Sequence, residues 1–178
     1  MHPAIYRKLP QIAVWLCALA VALAMSAESH ANPVEPVDPA RLVALLPPAW
    51  AGFTAKPVDV GRKTVPSRNS SASMHYRAAP GGVEYIIRLS DDGAYNAKMY
   101  RDYGADYLKQ DVKNDTQKTL VRNGRRFLLT SLSKNSMGID TFVADRLVLN
   151  LHCINTSEAQ CVEALGRIDF AALDKFKP

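Results

Sequence analysis

Histidine is the side chain best suited to proton transfer near neutral pH, and beyond residue 31 the chain carries two, His75 and His152. Neither lies in a recognised catalytic or metal-binding pattern, because HExxH, GxSxG and Walker-type loops are absent from the sequence. Serines such as those between Ser131 and Ser136 have no local base or oxyanion hole beside them. The two histidines and nearby acids would therefore form a hydrolytic site only if the fold assembled it from dispersed residues. We expect neither a metal nor a cofactor.

A group of arginines surrounds a predicted turn. Arg122 precedes the turn residues Asn123 and Gly124, and Arg125 and Arg126 follow them. Arginine binds phosphate, sulfate and carboxylate groups through forked hydrogen bonds. The same charges would also protect an exposed sheet edge from aggregation, which is the alternative interpretation. The three arginines are the candidate binding residues for an anionic ligand.

The longest helical pattern runs from Asn96 to Asp111. Steps of about 100° per residue place Tyr100, Tyr103 and Tyr107 on one apolar face, with charged residues mostly elsewhere. Such a face predicts a helix that packs on a sheet. Where the margin of that sheet is open, Tyr103 and Tyr107 are candidate residues for a ligand pocket or a protein interface.

Several segments alternate between polar and apolar residues, as strands do. Ser71 to Ala78 and Val83 to Leu89 predict one hairpin. Asn123-Gly124 predicts a second hairpin, because both residues tolerate positive φ. Ile139 to Ile154 has the longest strand pattern and is the candidate central strand. Residues 55 to 69 indicate an irregular segment or a weak edge strand.

The C-terminal part contains a helix signal and two cysteines. Ser157 with Gln160 three residues later is typical of a capping box. Cys153 and Cys161 remain as an even pair after removal of an N-terminal signal, and no CxxC motif accompanies them. In an oxidising compartment such a pair predicts a structural disulfide.

Taken in order, the elements predict an α+β domain. We expect a mainly antiparallel β-sheet of about five strands, with a long central helix and a C-terminal helix packed on it. This order resembles the PsbP-like α/β/α sandwich of small exported or lumenal proteins, which supplies an alternative fold. The resemblance lies in the order of elements and not in any motif residue, so it implies a fold and no activity.

The N-terminus is typical of a secretory signal. Arg7 and Lys8 precede an apolar run from Ile12 to Met25, and a small residue, Ala31, ends the segment. The run is shorter than the ~20 residues of a membrane span. We predict a signal peptide at residues 1–31 that is cleaved after Ala31, a proline-rich linker at 32–39 and a single α+β domain at 40–178. The mature protein is expected to be periplasmic or secreted, with no stable membrane anchor after cleavage.

The amino-acid composition limits the kinds of partner and function that we expect for this protein. The formal net charge of +5 is spread along the chain rather than massed, so nucleic acid is not an expected partner. The leading interpretation is an exported, soluble, non-catalytic binding, inhibitory or accessory module of the cell envelope. Its expected partner is an envelope protein or an anionic ligand. The alternative is a small periplasmic hydrolase that uses His75, His152 and acids.

Overall fold

Seven β-strands form one antiparallel sheet in the computed structural model, which describes residues 35–63, 68–78, 82–93, 111–144 and 146–177. The strands are β1 (Phe53–Lys63), β2 (Asn69–Ala78), β3 (Glu84–Asp91), β4 (Gln117–Arg122), β5 (Arg125–Ser133), β6 (Ser136–Val143) and β7 (Leu147–Ile154). Their spatial order is β1-β2-β3-β7-β6-β5-β4. Strand β7 is therefore the centre of the sheet, and β1 and β4 are its edges.

One face of the sheet carries the hydrophobic core. Successive residues of a strand point to opposite faces, and the register places Ile87, Leu151 and Ile139 side by side on β3, β7 and β6. All three side chains are fully buried. We call this side the core face and the other side the polar face.

Short helices cover the core face. In the described residues they are α1 (Pro39–Leu45), α2 (Glu158–Ala164) and α3 (Phe170–Asp174), with a 3-10 turn at Leu165–Arg167 between the last two. The side chains of Asp38 and Asp169 accept hydrogen bonds from backbone N–H groups of the first turns of α1 and α3. The predicted capping box of Ser157 and Gln160 is confirmed at the start of α2.

The predicted sheet of about five strands is wrong, because the sheet has seven. Ile139 to Ile154 was predicted as one strand, but it contains most of β6 and the whole of β7, which pair as a hairpin. The chain turns near Ala144, which has a φ of 53°. A residue with positive φ is usually glycine or asparagine and rarely alanine. The turn was therefore not predicted from the sequence.

Strand β1 accounts for the other additional strand. It pairs with β2 along Phe53–Lys63, with a bulge between Val58 and Gly61. Asp59 within the bulge has a φ of 48°. Pro57 and the bulge interrupt the free edge, which protects it from pairing with other chains.

The predicted long central helix does not belong to the fold that the structure describes, where every helix has seven residues or fewer. The segment from Asn96 to Asp111 lies outside the described residues except for Asp111, and Tyr103 and Tyr107 lie outside them too. The described helices cover one face only, so the described ranges do not form an α/β/α sandwich. None of the helices in these ranges is long and apolar enough to cross a membrane.

The disulfide predicted between Cys153 and Cys161 is confirmed, with a Cα–Cα distance of 5.8 Å. Cys153 belongs to β7 and Cys161 to α2. The bond therefore fixes the C-terminal helix to the central strand of the sheet.

An ion pair between Asp91 and Arg146 holds the N-terminal segment against the sheet. Arg146 donates from Nε and Nη2 to the two oxygens of Asp91, at 2.9 and 2.7 Å. The Val37 N–H donates to the same carboxylate at 2.7 Å. Asp91 is fully buried, so its charge depends on these partners for compensation.

Candidate functional site

A cleft of about 710 Å³ opens between the β4–β5 turn and the C-terminal helices. We call it the C-terminal cleft. It is lined by Arg122, Asn123, Gly124, Arg125, Phe127, Leu165, Gly166, Ile168, Asp169, Phe170, Ala171 and Asp174. Two of the three arginines predicted to bind anions therefore line one concave surface.

Arg122 reaches across the cleft to the end of α2. Its Nη1 donates a hydrogen bond to the Val162 carbonyl oxygen at 2.6 Å. A Cβ at Gly166 would lie 3.0 Å from Nη2 of Arg122, so the glycine makes room for the guanidinium. Within the described ranges this group has no second hydrogen-bond acceptor.

Arg125 has several partners within the protein. Its Nη1 donates to the Phe142 carbonyl oxygen at 2.7 Å, and its Nη2 forms an ion pair with Asp174 of α3. The guanidinium also lies 4.9 Å from the centre of the Phe170 ring. Arg125 therefore forms a rigid wall of the cleft and fixes α3 to the sheet.

Arg126 lies on the polar face and forms an ion pair with Asp111. Adjacent residues of a strand point to opposite faces, so Arg125 and Arg126 cannot converge on one ligand. The structure brings Arg122 and Arg125 together and places Arg126 elsewhere.

The floor of the cleft is apolar. Phe127 and Phe170 meet edge to face with ring centres 5.5 Å apart. Leu165 and Ile168 of the C-terminal segment are buried beside them. A ligand in the cleft would thus meet an apolar surface next to the guanidinium of Arg122.

Both histidines lie on the polar face, but they are not in contact with each other. The register aligns His75, Ile86 and His152 on β2, β3 and β7, which places the histidines two strands and about 10 Å apart. His75 Nε2 lies 2.8 Å from Glu84 Oε2, and Arg77 contacts the same carboxylate at 2.9 Å. Burial raises the pKa of Glu84, but the hydrogen bond from His75 and the charge of Arg77 outweigh it and hold that pKa below its usual value.

His152 has a different partner, Ser136, which sequence reasoning did not select. The Ser136 Oγ lies 2.8 Å from Nε2 of His152. On the same face Asn150 Nδ2 donates to Asp140 Oδ1 at 2.8 Å. Burial raises the pKa of Asp140, and this hydrogen bond only partly opposes it. The signal that selects Ser136 is the β6–β7 register, which places Gly138 opposite His152.

No cluster of three or more His, Cys, Asp or Glu side chains that could hold a metal ion is found in the described ranges. Tyr103 and Tyr107, the other candidate binding residues, lie outside those ranges.

The sequence matches no protein-family model and no curated protein, and the structure matches no solved structure.

Proposed function

We propose that the protein is an exported, soluble binding, inhibitory or accessory module of the cell envelope, and that it binds an anionic group in the C-terminal cleft. The observation that carries this proposal is the guanidinium of Arg122, which lines the cleft of about 710 Å³ and has unused N–H donors within the described ranges. A guanidinium beside an apolar floor is a site for a carboxylate or phosphate attached to an apolar body.

The charges of the cleft favour a ligand with one anionic group. Asp174 neutralises Arg125, and Asp169 adds a negative charge at the start of α3. A polyanion would meet these acids as well as Arg122. Among the residues that the structure describes, the lining contains no serine, cysteine or histidine.

Export is supported by two features. The Cys153–Cys161 disulfide is of the kind that persists in oxidising compartments. The N-terminal segment, which lies outside the described residues, has the residue order of a secretory signal. Both features suit a module that works in the periplasm or outside the cell.

The test is to replace Arg122 by glutamine and to titrate the protein with hexanoate and with inorganic phosphate. Binding is followed by chemical shifts of residues around the cleft. Since hydrogen bonds to charged groups contribute about 1.5 to 3 kcal/mol, Arg122→Gln should weaken hexanoate binding about 10-fold or more. We expect the wild-type affinity to fall as salt is added.

Arg62→Gln is the matched control, because the Arg62 guanidinium also donates to one backbone carbonyl oxygen, that of Pro36 at 3.0 Å. Arg62 lies on edge strand β1, away from the cleft. This variant should bind hexanoate as the wild type does. Equal affinities for the wild type and Arg122→Gln would contradict the proposal.

A further inference from the structure

The C-terminal cleft is lined by two carboxylates as well as by the guanidinium of Arg122. Asp169 immediately precedes α3 and Asp174 is its last residue. Asp174 forms an ion pair with Arg125, so its charge is balanced within the protein. Asp169 uses Oδ1 to accept the Ala172 N–H at 2.9 Å, and this neutral partner does not balance its charge. A carboxylate has about four acceptor sites on its two oxygens, so Asp169 can bind a cation while it caps α3.

The guanidinium of Arg122 and the carboxylate of Asp169 lie near each other along the wall of the cleft. The position of a Cβ on Gly166 is 3.0 Å from Nη2 of Arg122. Asp169 follows Gly166 by three residues, and consecutive Cα atoms are 3.80 Å apart, so the two Cα atoms are separated by at most ~11 Å. The Ile168 N–H donates to the Leu165 carbonyl oxygen at 3.2 Å, which makes this segment shorter still. One small ligand can therefore contact both groups.

An apolar surface adjoins both charged groups. Leu165 precedes Gly166 in the chain, and Ile168 precedes Asp169; these two apolar side chains are 2% and 6% exposed and line the cleft. Phe170 follows Asp169 and lines the same cleft. The cleft thus offers a positive group, a negative group and an apolar surface to one ligand.

We propose that the C-terminal cleft selects amino carboxylates in which an apolar chain separates the carboxylate from a terminal ammonium group. The carboxylate bonds to Arg122, the chain lies on the apolar floor, and the ammonium bonds to Asp169. This inference rests on the proposed binding of an anionic group at Arg122 and adds a cation to the other end of the ligand.

The sign of the effect of an ammonium group distinguishes this arrangement from a purely apolar floor. An ammonium that loses water on an apolar surface without a partner weakens binding. An ammonium that meets the Asp169 carboxylate gains a charge-assisted hydrogen bond instead. The added charge therefore strengthens binding only where an acidic group receives it.

The test compares hexanoate with two amino derivatives of the same carbon chain, by chemical-shift titration of the full protein. In 6-aminohexanoate the ammonium is at the far end of the chain, and it should bind about 3-fold to 5-fold more tightly than hexanoate, as for a partly exposed ion pair. Its isomer norleucine carries the ammonium beside the carboxylate. Norleucine should bind more weakly than hexanoate, because its cation would lie next to the guanidinium of Arg122.

Asp169→Asn removes the charge and keeps the helix cap, since asparagine and aspartate are similar N-caps. This variant should bind hexanoate at least as tightly as the wild type does and should lose the preference for 6-aminohexanoate. Asp38→Asn is the matched control, because Asp38 caps α1 and accepts the Ala40 N–H at 2.8 Å. Asp38 does not line the cleft, so the control should keep the wild-type preference.

Two results would overturn this inference: a wild-type protein that binds 6-aminohexanoate no more tightly than hexanoate, or an Asp169→Asn variant that keeps the full preference. Either result leaves the proposed function intact as long as hexanoate binds and Arg122→Gln weakens it. Loss of hexanoate binding itself would instead refute the proposed function and, with it, this inference.

Discussion

Asp91 and Arg146 form the most buried ion pair among the described residues. Its carboxylate is fully buried and accepts hydrogen bonds from Arg146, Val37 N–H and Gly93 N–H. The Arg146 guanidinium also donates to the Glu35 carbonyl oxygen. The carboxylate of Asp91, at the end of β3, thus connects the start of β7 with the N-terminal segment.

Asp91→Asn should therefore destabilise the protein by about 3 to 5 kcal/mol, because it leaves the buried guanidinium of Arg146 without its counter-charge. The free energy of unfolding is measured by urea titration at pH 7. Arg68→Gln is the control, since Arg68 pairs with Glu35 in an ion pair in which both side chains are more than half exposed. Its effect should stay within about 0.5 kcal/mol. A similar small effect of Asp91→Asn would contradict this role.

The hairpin of β6 and β7 is the main reason that the sheet has more strands than predicted. Its turn contains Ala144 with a φ of 53°. A left-handed conformation costs an L-residue roughly 1 to 2 kcal/mol relative to glycine. The turn is therefore a strained point in a hairpin whose register aligns Gly138 with His152.

Replacing Ala144 by glycine should relieve this strain and stabilise the protein by about 1 kcal/mol, although glycine is usually destabilising. Thermal and urea unfolding measure whether Ala144→Gly raises or lowers the free energy of unfolding. Ala78→Gly, in β2 with negative φ, is the control and should destabilise. If Ala144→Gly also destabilises the protein, the turn is not strained.

At the scale of the whole molecule, the two faces of one sheet differ in composition. The helices and the C-terminal cleft lie on the core face, and His75, His152 and Ser136 lie on the polar face. Substitutions in the cleft therefore leave the residues of the polar face unchanged.

Local sequence signals predicted the features that depend on neighbouring residues. The hairpin at Asn123-Gly124 and the capping box of Ser157 and Gln160 are confirmed, because each depends on a few adjacent side chains. The strand count was wrong because Ala144 carries no turn signal. The element order alone did not reveal that β1 and β6 complete a seven-stranded sheet.

Fewer features of the candidate sites than of the fold could be predicted from the sequence. Arg122 and Arg125 were selected by their place beside a turn, and they line the cleft. That Arg126 points to the other face follows from the two-residue period of a strand and was readable from the sequence. The contact of Ser136 with His152 depends on the pairing register of two strands, which a single strand pattern does not contain.

The disulfide lies next to the residue that holds the cleft arginine. Cys161 immediately precedes Val162, whose carbonyl oxygen accepts the hydrogen bond from Arg122. We therefore expect oxidation of the cysteines and occupancy of the cleft to be linked equilibria, in which a ligand that prefers the oxidised form stabilises that form by the same coupling free energy.

Hexanoate should accordingly make the midpoint potential of the Cys153–Cys161 pair more negative, as measured by equilibration in dithiothreitol buffers. Arg122→Gln should abolish the shift, whereas a midpoint that does not respond to saturating ligand would show that the two equilibria are independent. Where linkage holds, the cleft binds its ligand less tightly in a reducing compartment than in an oxidising one, so the disulfide would tune binding to the compartment.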